Sequence, residues 1–333
     1  MKNKLLVTTA IAGIAMTGVA SAETKIKGNL EQSFKAVSND TAATSARGFG
    51  SEYNIGLHNS TDLDNGMTAK FGFNIESNED GAADTGVSDS HYLTIGGDSV
   101  SLTIGRDNGQ NLSSTVVPHV GDQAGTVVDG ETLGNVGTVD AHNSDHVRLD
   151  FGAAGGTVTL RYAPDDNATA NASGTSADTS ESARELIYSG SLGVDGLKVQ
   201  AGIAKQHNSA ANNQDDKFQA LGVSYNFGSA SVGIEQVENE TVGSTITEYL
   251  NTERTTVGAT FAANDNLTVG LSYSETEEDA NGTVATNDEE VTMLQVGYNM
   301  GGISVVASYA EQENVSNATG DAEYFQLHTK QNF

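Results

Sequence analysis

Sixteen short stretches of alternating apolar and polar side chains run through the sequence from residue 25 to its end. In SHYLTIGGDSVSLTIGRDN (90–108), Leu93 and Ile95, then Leu102 and Ile104, alternate with Ser, Thr and Tyr on either side of a Gly-Gly-Asp turn. Alternation with period two predicts β-strands that have one apolar and one polar face. Few segments have a 3.6-residue apolar period, which argues against a helix-rich fold.

The connections between the sixteen stretches alternate in length. Seven are tight turns rich in Gly, Asn and Asp, and eight are longer and acidic or polar, such as 78–89 and 164–183. Short turns at one end and long loops at the other are typical of outer-membrane β-barrels. The polar faces carry Ser, Thr, Asn, Gln and Gly and are too polar to fill a core. We therefore expect the apolar faces to point into lipid, where a closed sheet leaves no backbone edge unpaired.

The N-terminus has the pattern of a secretory signal peptide. Lys2 and Lys4 precede an apolar stretch over 5–19, and small residues follow at 20–22. This pattern predicts a signal peptide over 1–22 and a barrel domain over 23–333. The domain then has 14 basic and 44 acidic residues, a formal net charge of −30, which argues against nucleic acid as a partner. The absence of cysteine excludes disulfides and Cys-ligated metal sites.

The sequence contains no catalytic pattern of a known kind. The seven histidines lack H-E-x-x-H spacing, and no G-x-S-x-G elbow or phosphate-binding loop is present, so we do not expect an enzyme. No cofactor is predicted. The acidic segments 274–279 and 287–290 are expected in loops at a channel mouth, where their carboxylates would concentrate cations and bind divalent cations loosely.

Three landmarks together carry a family resemblance: the hairpin YLTIGGDSVSLTIGRDN followed by a long loop, NSDHVRLDF at 143–151, and the terminal Phe333. On these landmarks the chain resembles the trimeric general porins of Gram-negative outer membranes, in their alpha-proteobacterial form. The resemblance implies a 16-stranded antiparallel transmembrane β-barrel in the cell outer membrane, with short periplasmic turns and long external loops. It also implies a homotrimer, passive diffusion of ions and small hydrophilic solutes, and recognition of Phe333 by the barrel-insertion machinery.

Residues 107–142 form a connection about three times as long as the ~12 residues beyond which an unstructured loop is unusual. The resemblance implies that this third long loop folds into the lumen. Its apolar residues, including Val116, Val117 and Leu133, are poor choices for full exposure and agree with inward folding. We expect a constriction loop whose acids are Asp122, Asp129, Glu131 and Asp140.

The cations expected on the inner faces of the first seven strands lie at similar distances from their tight turns. They are predicted to form a basic arc at one height, made of Lys27, His58, Lys70, Arg148 and Arg161. A basic arc opposite an acidic loop would produce a transverse field that orients polar solutes. Separately, the acidic segments expected at the mouth predict a weak preference for cations. In the alternative interpretation the cations of the arc pair with carboxylates such as Asp150 and Glu52 and only hold the sheet together.

Arg106 falls on the apolar phase of its strand, where a cation in lipid is costly. The matching Gly-Arg of general porins lies at the root of the inward loop and joins the basic cluster. Because Gly105 permits a local break, we expect regular pairing to stop there and Arg106 to point into the lumen.

Two other classes of protein remain as alternatives. A substrate-specific outer-membrane channel would have a ladder of cations along the pore, whereas only a single band is visible. A secreted structural or adhesive β-protein would have a fixed short repeat, which the sequence lacks.

Overall fold

In the computed structural model the described part of the chain forms a closed antiparallel barrel of sixteen strands. It comprises residues 23–39, 46–77, 88–107, 112, 116–120, 145–164, 182–208, 214–242, 249–281, 288–314 and 321–333. Within these ranges no helix is long and apolar enough to cross a membrane. The predicted signal peptide, 1–22, lies outside the described residues.

All sixteen predicted strands are present, and each pairs with its neighbours in sequence. The strands are β1 Glu23–Asn39, β2 Ala46–Asp62, β3 Thr68–Ser77, β4 Ser88–Gly96, β5 Val100–Arg106, β6 His146–Ala153, β7 Gly156–Ala163, β8 Ala183–Gly190, β9 Leu197–Asn208, β10 Gln214–Asn226, β11 Ala230–Val242, β12 Tyr249–Ala262, β13 Leu267–Asn281, β14 Glu289–Asn299, β15 Ile303–Glu313 and β16 Ala322–Asn332. Connections at one end have two to six residues, and those at the other end have five to 39.

The alternating pattern places apolar side chains on the outside of the barrel. Ile203 on β9 is 51% exposed and Leu221 on β10 is 61% exposed, although both lie in the middle of the sheet. Residues on the opposite phase of the same strands point inward, and among them Gln200 on β9 and Phe218 on β10 are buried. Because the side-chain period of a strand is two, the register alone decides which residues meet lipid and which face the interior.

The barrel is closed by antiparallel pairing of β1 with β16. Glu31 is buried on the inner face of this seam, where its carboxylate lies 2.9 Å from His328 Nε2 and 2.8 Å from Lys330 Nζ. The seam ends at Phe333, whose backbone exchanges hydrogen bonds of 3.0 and 3.1 Å with Gly28. Closure therefore combines a backbone ladder with an ion cluster that joins the two ends of the chain.

Two sequence-based expectations require correction. Residues 274–279 lie inside β13, and Glu289 and Glu290 begin β14, so these acidic residues belong to strands and not to mouth loops. Backbone pairing needs no apolar side chain, and the strands therefore continue past the apolar band. The inner face is also less polar than expected, since Ile187, Phe218 and Met293 are fully buried on it.

We expect Glu31→Gln to weaken closure of the barrel. The substitution removes the charge that accepts hydrogen bonds from His328 and Lys330, and each such bond contributes roughly 1.5–3 kcal/mol. In gel electrophoresis of heated samples, the band of the folded barrel should disappear at a lower temperature for Glu31→Gln than for the wild type. Glu277→Gln, an exposed carboxylate on β13, is the matched control and should leave the transition in place. Equal unfolding temperatures for the two variants would contradict a role for the Glu31 cluster in closure.

Candidate functional site: the channel interior

The described residues of the long connection, Leu112 and 116–120, lie inside the barrel against a wall of glycines. Consecutive strands β9 to β14 each place one glycine at this contact: Gly202, Gly222, Gly233, Gly258, Gly270 and Gly297. A Cβ atom at Gly258 would lie 2.5 Å from Val117 Cγ1, and one at Gly270 would lie 2.7 Å from Val120 Cγ2. Because glycine has no side chain, these six positions form a groove in the inner wall, here called the glycine seat, that has room for the segment.

Side chains of the wall hold the backbone of the seated segment. The amide N–H of Val116 donates to Glu235 Oε2 at 2.9 Å, and that of Val120 donates to Gln295 Oε1 at 3.0 Å. Both bonds are buried, so each satisfies a backbone donor that would otherwise be costly inside the protein. Glu235 and Gln295 come from β11 and β14, and they hold the two ends of the segment 116–120.

Apolar contacts complete the seat. Leu112 is 4% exposed and belongs to a buried cluster with Ile187 and Phe218 on the inner wall. Val116, Val117 and Val120 are each 3–4% exposed. The burial of these side chains explains why the long connection between β5 and β6 carries several valines. It also places this part of the chain within the lumen.

A charged network lies at the root of the same connection. Asp107 directly follows β5 and is buried; its Oδ1 is 3.0 Å from His146 Nε2, and its Oδ2 is paired with Arg148. Arg148 Nε also donates to Asp150 Oδ2 at 2.8 Å, and Thr159 Oγ1 donates to Asp150 Oδ1 at 2.6 Å. The network ties the point where the chain leaves β5 to the inner faces of β6 and β7.

Burial is the largest single influence on Asp107 and would raise the pKa of its carboxyl. The hydrogen bond from His146 and the charge of Arg148 act in the opposite direction and together outweigh it, so the pKa of Asp107 lies below its usual 3.8. The carboxylate is consequently ionised at neutral pH, and it can hold both partners.

Arg161 lies directly opposite Arg148 in the register of β6 and β7 and is paired with Glu185 of β8. The Arg161 side chain has no exposed surface, and that of Arg148 is 12% exposed. The two arginines are therefore joined to carboxylates, as in the alternative interpretation of the basic arc. The partner Asp150 was expected, whereas Asp107 and Glu185 were not.

The other cations of the arc are more open. Lys27 and Lys70 are exposed, and His58 is half-buried with Nδ1 3.4 Å from the Tyr92 hydroxyl. Lys70 shares a register row with Arg148, through Thr94 and Thr103, whereas His58 lies in the next row toward the loop end. The structure thus brings Arg148 and Arg161 together and leaves Lys27, His58 and Lys70 separate.

Regular pairing was expected to stop at Gly105, and it does so only on the side of β6. The φ of Gly105, 117°, is a conformation that only glycine adopts readily, and a Cβ atom there would collide with the carbonyl oxygen of His91. Pairing with β6 ends at Gly105, while pairing with β4 continues to Arg106. Arg106 is half-buried, and among the described residues its Nε has no hydrogen-bond partner. The inward direction of its side chain stays a prediction.

Sequence reasoning missed several interior charges. Arg254 is buried on β12, where its Nε donates to Thr276 Oγ1 at 2.9 Å, and Glu235 is buried on β11. The period-two pattern does assign both to inner faces, but their isolation in sequence gave no reason to single them out. The predicted loop acids Asp122, Asp129, Glu131 and Asp140 lie outside the described residues. Within the described part of the chain, no three His, Asp or Glu residues are grouped to hold a metal ion.

A closed barrel with an apolar exterior, a charged interior and a segment seated in its lumen defines a channel protein of the outer membrane. The sequence over residues 7–317 matches the family model of the Gram-negative porins. The chain belongs to this family, and it is an outer-membrane channel for small solutes. No curated relative is similar enough to the sequence to match it.

Solved structures support the same fold. OmpT, an outer membrane protein of Vibrio cholerae in its trimer form, superposes with a TM-score of 0.70 at 15% identity, covering 94% of this chain and 100% of that chain. A loop-deletion mutant of the Vibrio cholerae protein superposes with a TM-score of 0.72 at 16% identity, covering 94% of this chain and 99% of that chain. The anion-selective porin from Comamonas acidovorans superposes with a TM-score of 0.70 at 18% identity, covering 94% of this chain and 100% of that chain. At such identities the likeness concerns the fold alone.

We expect Gly258→Leu to displace the seated segment and to raise single-channel conductance. The new side chain occupies the space of Val117 and Pro118, and the segment must leave the glycine seat. Gly48→Leu is the matched control, because a Cβ atom at Gly48 meets nothing within 4 Å. Planar-bilayer recordings should show a larger conductance for Gly258→Leu only. Unchanged conductance in a folded Gly258→Leu barrel would contradict the assignment of the glycine seat.

We expect Asp107→Asn to destabilise the loop root in a pH-dependent way. Since the pKa of Asp107 is lower in the folded protein than in the unfolded chain, its stabilisation is complete above pH 3.8 and is lost as the pH falls through the folded value. The difference in unfolding temperature between wild type and Asp107→Asn should persist at pH 7 and 5 and vanish at low pH. Asp98→Asn, in an exposed turn of the neighbouring hairpin, should give no difference at any pH.

Proposed function

We propose that this porin is a general diffusion channel for ions and small hydrophilic solutes, with a weak preference for cations. The observation that carries the proposal is the position of Leu112 and 116–120 in the glycine seat of β9–β14. In a ring of sixteen strands β9–β14 lie opposite β1–β6, so the seat faces the first six strands and its β14 end faces Arg148 on β6. A segment in this position narrows the lumen, as a size-selecting channel requires.

The charges of the described interior support a preference for cations. At the loop root, the two guanidinium groups of Arg148 and Arg161 are matched by three carboxylates, those of Asp107, Asp150 and Glu185. Arg148 and Arg161 are therefore neutralised locally and do not act as free anion sites. Across the whole sequence 44 acidic residues outnumber 16 basic ones, and a surplus of fixed negative charge raises the local cation concentration.

The acidic constriction loop belongs to the same proposal. If Asp122, Asp129, Glu131 and Asp140 face the basic arc, as predicted, a transverse field would orient polar solutes. Exposed carboxylates near the loop end, including Glu275, Glu277 and Asp279, would hold divalent cations loosely. Neither feature requires a dedicated cofactor.

We also propose that the channel is a homotrimer inserted through recognition of Phe333. The proposal rests on the family and on a structural neighbour described in a trimer form. Phe333 is 63% exposed on the outside of the barrel, and Phe325 and Leu327 are exposed on the outward phase of the same strand. An exposed aromatic terminus with an outward apolar series is suited to recognition by another protein.

A substrate-specific channel remains the second candidate. The Comamonas acidovorans protein, which has a similar fold, is described as anion-selective, so a barrel of this kind is compatible with a selective channel. Liposome swelling with sugars of graded size distinguishes the two functions. A general channel admits sugars at rates that fall smoothly with size, whereas a specific channel admits one sugar out of order.

We expect the reversal potential in a KCl gradient to favour potassium, and Arg148→Gln to increase that preference. The substitution leaves the carboxylates of Asp107 and Asp150 less compensated, so the interior becomes more negative. Lys198→Gln is the control, because Lys198 lies at the end of β9 that adjoins a tight turn. This substitution should shift the reversal potential less. A wild-type reversal potential that favours chloride would overturn the proposed selectivity.

A further inference from the structure

The outer surface of β8, β9 and β10 carries a row of three directly opposed cations. Arg184 pairs in register with Lys205, and Lys205 pairs with Lys217. Like charges at directly opposed positions of a sheet are destabilising. The row is unusual in a chain with only 16 lysines and arginines against 44 acids.

The carboxylates near this row do not neutralise it fully. Arg184 Nη2 is 3.2 Å from Asp215 Oδ2, and Lys217 Nζ is 2.7 Å from Glu240 Oε1. Asp215 is shared, since its Oδ1 also lies 3.2 Å from His207 Nδ1. Within the described ranges Lys205, in the middle of the row, has no ion pair.

A small polar pocket of ≈ 160 Å³ opens beside the row. Its walls are formed by Arg184, Lys205 and His207 together with Asp215, Tyr162, Ser182 and Ala183. A phosphate group fits a pocket of this size, and the three basic side chains around it supply the donors that a phosphate accepts from. Asp215 opposes such an anion, but it is already paired with Arg184 and His207.

Two apolar clefts lie directly below the row, toward the middle of the membrane. One, of ≈ 760 Å³, includes Leu186, Ile203 and Leu221 in its lining; the other, of ≈ 700 Å³, includes Leu160, Leu186 and Ile203. Leu186 and Ile203 line both, so the clefts adjoin. Each cleft has room for part of an acyl chain, and the exposed, outward side chains of Leu186 and Ile203 in both linings place the clefts on the outer face of the barrel.

The row also lies at the boundary of the apolar band. Along β9 the outward residues change from Val199, Ala201 and Ile203 to Lys205 and His207. This boundary is at the end with long connections, which in transmembrane barrels is the external side. Lipid headgroups of the outer leaflet lie at this height.

We propose that Arg184 and Lys205 bind the phosphate of an anionic lipid of the outer leaflet in the polar pocket, with Lys217 adding positive charge beside them and the acyl chains in the two adjoining clefts. A bound phosphate would relieve the repulsion within the row and would use the polar pocket and the apolar clefts at once. The site is bounded on β11 by Glu238 and Glu240, where the outer rim becomes acidic and repels such a headgroup.

Native mass spectrometry of the full-length protein in detergent, titrated with dioleoylphosphatidic acid, tests this proposal. We expect retention of the lipid by the wild type, a loss of affinity of roughly fivefold for Lys205→Gln, and a larger loss for Lys205→Gln with Lys217→Gln. Arg47→Gln removes an exposed cation from the outer face of β2 and should leave affinity unchanged. Dioleoylphosphatidylcholine, which lacks net charge, should be retained equally weakly by all variants.

A second variant tests the clefts separately from the charge. Ile203→Trp fills the space shared by both clefts and should lower retention of dioleoylphosphatidic acid while all three cations remain. Equal lipid affinity in the wild type, the double lysine variant and Ile203→Trp would overturn the proposal. Displacement of the lipid by an equal concentration of inorganic phosphate, or dissociation of an oligomer by Lys205→Gln, would also overturn it, because the row would then bind a free anion or a second subunit.

Discussion

Backbone hydrogen bonding in lipid is the constraint from which the rest of this structure follows. A sheet edge exposed to hydrocarbon leaves polar groups unsatisfied, so the chain must close on itself. Closure joins the first strand to the last, and it fixes one register for the whole ring, in which Glu31 lies beside His328 and Lys330. Because a shift of one residue would exchange the two faces of a strand, the same register sets the lipid surface and the channel lining together.

The register also makes the interior asymmetric. On β9–β14 it aligns small residues of six consecutive strands into the glycine seat, and on the adjoining β6–β8 it aligns Arg148, Arg161 and Glu185. The first alignment removes volume from the wall, so a segment with buried valines can be held there. The second concentrates charge at the root of that segment. The narrowing of the channel and its charge distribution are thus two results of one pairing pattern.

The strands and their faces could be predicted from the sequence because period two is a local property. Leu102 and Ile104 need no distant partner to indicate an outward face. The pairing of Arg161 with Glu185 could not be predicted, since 24 residues separate them and only the register brings them together. The period-two pattern also assigns Gly202, Gly233, Gly258 and Gly270 to inner faces, but their contact with the long connection depends on three-dimensional packing. The acidic segment 274–279 was misassigned to a loop because exposure and irregular structure are not the same property.

The alternation that separates two faces also allows one strand to serve two environments. On β9, Gly202 faces the seated segment while Lys205, three residues later, faces outward at the lipid boundary. On β10, Gly222 faces the seated segment, while Lys217, five residues earlier, faces outward. Residues an odd number apart in a strand share a backbone but no surface, so the interior and the exterior of this part of the barrel can change independently by substitution. They remain coupled only through the register, which is why a substitution that shifts pairing would affect the channel and its lipid contacts at the same time.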